Sequence, residues 1–132
     1  MRFVKSHGGR EKYFEKLNVG DCVTRAICNA TGKDYMEVYK ALAALSKSSP
    51  RNGVYKSAYR KYLASLGYSF TPLMGIGTGC RTHLCEEELP TKGIYILKVS
   101  KHLTCIKDGV LYDSYDCSRG GTRCVYGYWK IK

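Results

Sequence analysis

No stretch of this chain approaches the roughly 18 consecutive apolar residues that a membrane helix requires, which removes a spanning helix from the expectations. The opening, MRFVKSHGGREKYF, has no apolar core of the kind a secretory signal carries. The expected location is therefore the cytoplasm, with no membrane partner. Internal repeats, low-complexity tracts and Pro/Ser-rich linkers are missing as well. At 132 residues the chain suits one domain with a single core, over 1–132.

Acids are scarce: 11 Asp and Glu stand against 22 Lys and Arg, giving a formal charge of +11 and a pI near 9.4. Such a field attracts nucleic acid or an acidic protein surface. Hydrophobic residues at 44% and charged residues at 25% exclude a disordered or fibrous chain. The seven cysteines are odd in number and irregular in spacing, and a chain of this length needs no staples. They read as mostly reduced thiols. Paired C-x2-C knuckles are absent, and the C-x2-H-x-C cluster of Cys80, His83 and Cys85 has no finger spacing even with Cys105, Cys117 and Cys124 as further soft ligands. Neither a metal nor a cofactor is expected.

Residues 1–17 mix charge and aromatics without periodicity, and Gly8-Gly9 suits a flexible arm. From Asp21 the pattern turns helical. Val23, Ala26, Ile27 and Ala30 follow i, i+3, i+4, i+7, and Gly32 is placed to end the helix. A second helix is expected from Asp34, with Glu37 as capping-box partner, through Val38, Leu42 and Leu45. A third covers about 56–66, with Tyr59, Tyr62, Leu63 and Leu66 on one stripe and Gly67 as the stop.

Beyond Gly67 the chain becomes β. Strands are expected at 68–73, 94–99, 102–106, 110–113 and 125–131, with a glycine-rich loop at 74–79. Asp108-Gly109 between apolar runs marks a tight hairpin. Helices first and antiparallel strands afterwards make an α+β domain, N-terminal helices packed on a C-terminal antiparallel sheet.

Cys22 falls in the first turn of its helix, where unsatisfied N–H groups and the positive end of the macrodipole favour thiolate. A histidine held on a strand would complete a reactive ion pair. His7 lies in the arm and His83 in a loop, which leaves His102. With Asp108-Gly109 as a two-residue turn, Thr104 falls opposite Asp113 and His102 opposite Tyr115, all on one face. Asp113 then orients His102, with Asp116 as the alternative under another register. For an oxyanion hole the backbone N–H of Cys22 would be joined by the nearest side-chain amide, Asn18. Asp21, beside Cys22, would raise the thiol pKa unless it points away, as a helix-capping aspartate does.

These residues give the chain a resemblance to the papain-like cysteine peptidase superfamily, in particular its compact bacterial branch that includes bacteriocin-leader-processing domains. N-V-G-D-C at Asn18–Cys22, H-L-T-C-I at His102–Ile106 and G-V-L-Y-D ending at Asp113 carry the likeness. D-C-V-x-R-A at Asp21–Ala26 and G-T-R-C-V-Y-G-Y-W at Gly121–Trp129 resemble short uncharacterised phage and prophage proteins, over about 18–130. The resemblance implies a papain-like fold and, for a phage protein, the host cytoplasm. The family's pattern departs at two points: Lys16 stands where it usually has glutamine, and Val23 follows the cysteine.

The implied function is a cysteine hydrolase acting on an amide, isopeptide or thioester bond of a peptide or protein, with Cys22, His102 and Asp113 as triad. The alternative is an inactive papain-like protein whose basic surface engages a host protein or nucleic acid. Lys47, Arg51, Lys56, Arg60 and Lys61, interleaved with Tyr55, Tyr59, Tyr62 and Tyr68, are the candidates for that surface. Tyr59 and Tyr62 also belong to the expected buried stripe.

Overall fold

Three helices form where the apolar spacing demands them. The computed structural model describes residues 1–132, the side chain of Asn52 excepted, and places α1 at Cys22–Thr31, α2 at Tyr35–Ser46 and α3 at Lys56–Ser65. Gly32 ends α1 in the left-handed conformation, returning its N–H to the Cys28 carbonyl at 3.0 Å. Asp34 precedes α2, but its carboxylate accepts from the Tyr13 hydroxyl at 2.6 Å rather than capping the helix.

Six strands form one sheet: β1 (Phe3–Lys5), β2 (Phe70–Pro72), β3 (Ile94–Val99), β4 (His102–Lys107), β5 (Val110–Asp113) and β6 (Gly127–Ile131), in the order β1-β5-β4-β3-β6-β2. All neighbours are antiparallel except β1, which runs parallel to β5. The protein is thus α+β, with a mixed, mostly antiparallel sheet. Both central turn residues of the β4–β5 hairpin, Asp108 and Gly109, have positive φ, the conformation that keeps a two-residue turn in step with strand twist.

Side-chain alternation divides the core between the two faces. On the helical face, Ile96, Leu103, Cys105 and Trp129 pack with Val23, Ile27, Leu42 and Leu63. On the other, Leu97, Val99, Ile106 and Leu111 are covered by Leu84, Leu89, Cys117 and Val125 from the loops. Trp129 lies edge-on to Tyr59, with ring centroids 5.8 Å apart, and 4.7 Å from Phe70. Gly127 makes that packing possible, since a Cβ there would come within 2.1 Å of the Phe70 ring.

The first 17 residues are not an arm. Besides supplying β1, they cover α1, whose polar side is consequently as buried as its apolar side: Thr24, Arg25 and Asn29 join Val23 and Ile27 in the interior. The fixing groups are polar, which is why no apolar period marks them. The buried Asp21 carboxylate accepts from Arg25 Nε at 2.6 Å and from the Tyr35 hydroxyl, with Arg10 Nη1 at 3.5 Å. Arg10 also donates to the Lys16 carbonyl at 2.7 Å, and Arg25 to the Leu17 carbonyl. Gly8 approaches α1 so closely that a Cβ would meet the Arg25 backbone at 3.0 Å.

The expectation of mostly reduced thiols holds for five of the seven cysteines, with one pair as the exception. Cys80 and Cys124 form a disulfide, leaving Cys22, Cys28, Cys85, Cys105 and Cys117 free. It joins the end of the glycine-rich loop to the segment before β6, a closure that spacing alone does not reveal. No helix among the described residues is long and apolar enough to cross a membrane.

Removing one partner from a buried ion cluster leaves its counter-charges uncompensated and destabilises by about 3–5 kcal/mol. Asp21→Ala is therefore expected to lower the unfolding free energy by that order in urea titration. A change below about 1 kcal/mol, the range of surface pairs, would show that the cluster does not anchor the N-terminal segment.

Candidate active site

The hairpin pairing places the first part of the site. Cys105 pairs with Tyr112 and Ile106 with Leu111, and the same register carried outward sets Thr104 against Asp113 and His102 against Tyr115, as the turn chemistry implies. The ladder itself ends at Cys105–Tyr112. Beyond it, side chains take over. His102 Nε2 lies 2.7 Å from Asp113 Oδ2, and Thr104 Oγ1 donates to the same oxygen at 2.6 Å. Asp113 Oδ1 accepts from the Ser114 N–H at 2.6 Å. All three of His102, Thr104 and Asp113 are buried.

Asp116 is not the orienting carboxylate. Its Oδ1 accepts from the Ser118 N–H at 3.0 Å and hydroxyl at 2.7 Å, fixing the following turn. His7 and His83 are engaged elsewhere, His7 with Arg25 at 2.6 Å and His83 with Glu88 at 3.1 Å.

Helix α1 delivers Cys22 to the His102 imidazole. Burial alone would push this thiol up, but the hydrogen bond and charge of His102, joined by the backbone N–H of Leu103, bring it below the ordinary thiol value. The direction of this shift contrasts with that of Cys28, Cys85 and Cys105. Burial pushes Cys28 and Cys105 up to about 12, and Cys85 is also raised, by desolvation and by Glu88. Burial disfavours the His102 imidazolium too, yet Asp113, Cys117 and Cys22 together raise it to about 12. Asp113 is held below the usual carboxylate range: desolvation opposes this, and the His102 and Thr104 hydrogen bonds outweigh it. The lowered thiol and the raised imidazole both shift the pair toward thiolate and imidazolium.

Asp21 does point away from Cys22, for a reason other than capping. No side-chain cap bond is present; the carboxylate is turned into the Arg10–Arg25–Tyr35 cluster. Nor does Asn18 complete an oxyanion hole. It is exposed and lies outside the lining of the cleft, to which Val19 and Gly20 contribute instead. The chain contains no glutamine, and among the described side chains of the lining no amide stands beside the Cys22 N–H, which is free of an intrahelical acceptor at the helix start.

Cys22 and His102 open on a cleft of about 540 Å³, bordered by Val54, Tyr59, Leu103 and Tyr115. Tyr115, 51% exposed, sets its ring 5.4 Å from the imidazole at the mouth. Lys56, Lys98 and Lys101 also line it. Of these only Lys56 is among the candidates from sequence; Lys98 and Lys101 sit at a strand end and turn, where no charge run flags them. Arg60 lies over the Phe70 ring at 4.5 Å in an adjoining groove. Lys47, Arg51 and Lys61 line neither cavity, and Tyr59 and Tyr62 are core residues. The five candidates therefore do not make one stacking surface.

No family model, curated protein or solved structure matches the chain. The chemistry is therefore argued from the site itself.

Cys117, which the sequence offers only as a further soft ligand for the Cys80 cluster, lies instead beside His102. Buried beneath the imidazole, it forms with His102 and Asp113 a set whose nitrogen, oxygen and sulfur atoms lie within 4.8 Å of one another. Nε2 and Oδ2 share a direct 2.7 Å hydrogen bond, closer than the about 3.3 Å that separates two such ligands around a tetrahedral zinc, so the pair is set for a proton rather than for a metal. At the other cluster, Cys80 is consumed by the disulfide.

The lowered thiol gives a direct test. Alkylation of Cys22 by iodoacetamide is expected to follow an apparent pKa below a free thiol's ~8.5, and His102→Ala to slow the reaction near neutral pH by about 10-fold or more as burial takes over. A profile unchanged by the substitution would sever the pair. Linkage gives a second test. Asp113, lowered, stabilises above about pH 4 and loses that contribution as pH falls; His102, raised, stabilises fully below about pH 6.5 and loses it as pH rises. The stability gap between the native protein and Asp113→Asn is expected to be widest between those limits, by thermal denaturation, and a gap independent of pH would contradict the ion pair.

Proposed function

We propose that this chain is a papain-like cysteine hydrolase that cleaves an amide, isopeptide or thioester bond, with Cys22 as nucleophile, His102 as acid and base, and Asp113 as the group that positions His102. The observation that carries the proposal is a thiol held below its ordinary pKa by a buried imidazole that is itself bonded to Asp113 at 2.7 Å, at the wall of an open cleft. The order of these residues, helix-start cysteine, strand histidine, then carboxylate, supports the resemblance to the compact bacterial and phage members of that superfamily.

In the reaction the Cys22 thiolate attacks the acyl carbon and forms an S–C bond. As the bond to the leaving nitrogen or sulfur breaks, the His102 imidazolium supplies its proton. His102, now neutral, takes a proton from water, whose oxygen attacks the thioester; the acid departs and the thiolate–imidazolium pair is restored. The developing oxyanion has the Cys22 N–H as its backbone donor.

The missing side-chain amide favours a second reading, in which the same scaffold binds a partner without turnover. Turnover of p-nitrophenyl acetate separates the two. The hydrolase reading expects a stoichiometric burst of nitrophenolate, an acetyl adduct on Cys22 and continued release, all lost in Cys22→Ala. An adduct that persists without release would favour the binding reading, and reactivity no greater than that of the urea-unfolded chain would end the hydrolase proposal.

A further inference from the structure

The cleft beside Cys22 does not end at Cys22. Lys56 and Lys98 belong at once to its wall and to that of a second groove, where Arg60 and the tip of the glycine-rich loop stand. The only carboxylate lining either cavity among the described residues is Asp21, whose side chain is fully buried and paired with Arg10 and Arg25. Among the described residues, none of Lys56, Arg60, Lys98 or Lys101 takes part in an ion pair. Arg60 is held by the Phe70 face and its buried Nε has no hydrogen-bond partner. Arg10, Arg25 and Lys33 are neutralised by carboxylates; these four have no such partner and are gathered along two adjoining cavities.

We propose that the groove running from Cys22 past Lys56 and Lys98 to Arg60 binds an acidic polypeptide segment, so that the substrate carries Asp or Glu side chains close to the acyl group presented to Cys22. The assignment rests on Cys22 being the acyl acceptor, and it names the substrate class for that site. Unpaired cations in a partly enclosed groove focus a positive field and select a negative chain both in affinity and in association rate. Met74 and the fully exposed Ile76 give the second groove an apolar wall, suited to the side chains of a polypeptide. Nucleic acid fits less well. It offers no acyl carbon along its chain, and the aromatics of the second groove are already engaged, Phe70 between Arg60 and Trp129 and Tyr126 beside Lys98, rather than free to stack on bases.

Two measurements test this. In the first, Cys22→Ala protein is titrated into a fluorescein-labelled glutamate-rich peptide at low salt. Binding is expected to exceed that of the lysine-rich counterpart by about 10-fold or more and to weaken as salt rises. The double substitution Lys56→Glu, Arg60→Glu should abolish the preference, whereas Lys61→Glu, outside the groove, should retain it. An equal affinity for both peptides, or tighter binding of a single-stranded oligothymidylate of matched charge that displaces the acidic peptide, overturns the assignment. In the second, glutamate- and lysine-bearing peptide chloromethyl ketones are compared on the intact protein, with labelling of Cys22 read by mass spectrometry. Faster labelling by the glutamate probe supports the proposal. Equal rates on a Cys22 that iodoacetamide shows to be activated overturn the substrate class and leave the nucleophile standing; an unactivated Cys22 with acidic-peptide binding intact overturns the hydrolase reading alone.

Discussion

Two buried guanidiniums converging on one carboxylate, immediately before Cys22, hold this molecule together. Asp21 draws Arg25 from the next turn of α1, Arg10 from the N-terminal segment and Tyr35 from α2 into one contact. The start of α1 is thereby fixed relative to the sheet, and Cys22 with it. An aspartate adjoining a reactive thiol would ordinarily suppress the thiolate; here its charge is already matched from the opposite side. The same cluster holds the Lys16 and Leu17 carbonyls, which commits the segment ahead of the cysteine to structure. The positions where a papain-like enzyme would carry its oxyanion amide are thus occupied in anchoring.

From that fixed point the electrostatics separate one sulfur from the rest. Cys28 and Cys105 see mainly desolvation and carboxylates at a distance. Cys22 has a helix start, the Leu103 N–H and an imidazolium. The imidazolium in turn depends on Asp113, whose two oxygens are satisfied by His102, Thr104 and Ser114, so that a buried carboxylate remains charged in an interior that would otherwise neutralise it. Each member of this chain of contacts is unfavourable by itself in a dry site and stable only with its neighbour present.

Much of this was legible in the sequence because the informative signals were local. Asp108-Gly109 sets the hairpin, the hairpin sets the register, and the register brings Asp113 to His102 over a separation of 11 residues. Gly32 and the α1 stripe likewise report on their own neighbourhood. What was not legible depends on long-range polar closure. Residues 1–17 are held by Arg10 and Ser6 rather than by an apolar period, the Cys80–Cys124 bond spans 44 residues, and Lys98 joins the cleft only because β3 lies beside β4 in the sheet. Asn18 was chosen for proximity in sequence, and proximity failed because the anchored backbone directs Val19 and Gly20 to the cleft in its place.

The two functional readings differ in what they make of the buried triad. A scaffold kept for binding alone has no use for a charged imidazole beneath an open cleft: burying a carboxylate and an imidazolium is offset at best by their mutual attraction, and well-packed apolar residues of similar volume are frequently as stable or more so. Sites that retain such an arrangement against local stability are those where chemistry requires it. Here the arrangement extends to a free thiol tuned in the direction of reactivity, and to Lys56, Lys98 and Lys101 along the approach to that thiol. A binding face needs the cations; it does not need the thiolate, the imidazolium or the carboxylate behind it. Without an amide among the described lining side chains the site has one oxyanion donor fewer, a loss of rate rather than of mechanism, which leaves acyl transfer the reading that uses Cys22, His102 and Asp113 together, while Asp21 and Arg25 of the same wall serve as anchors.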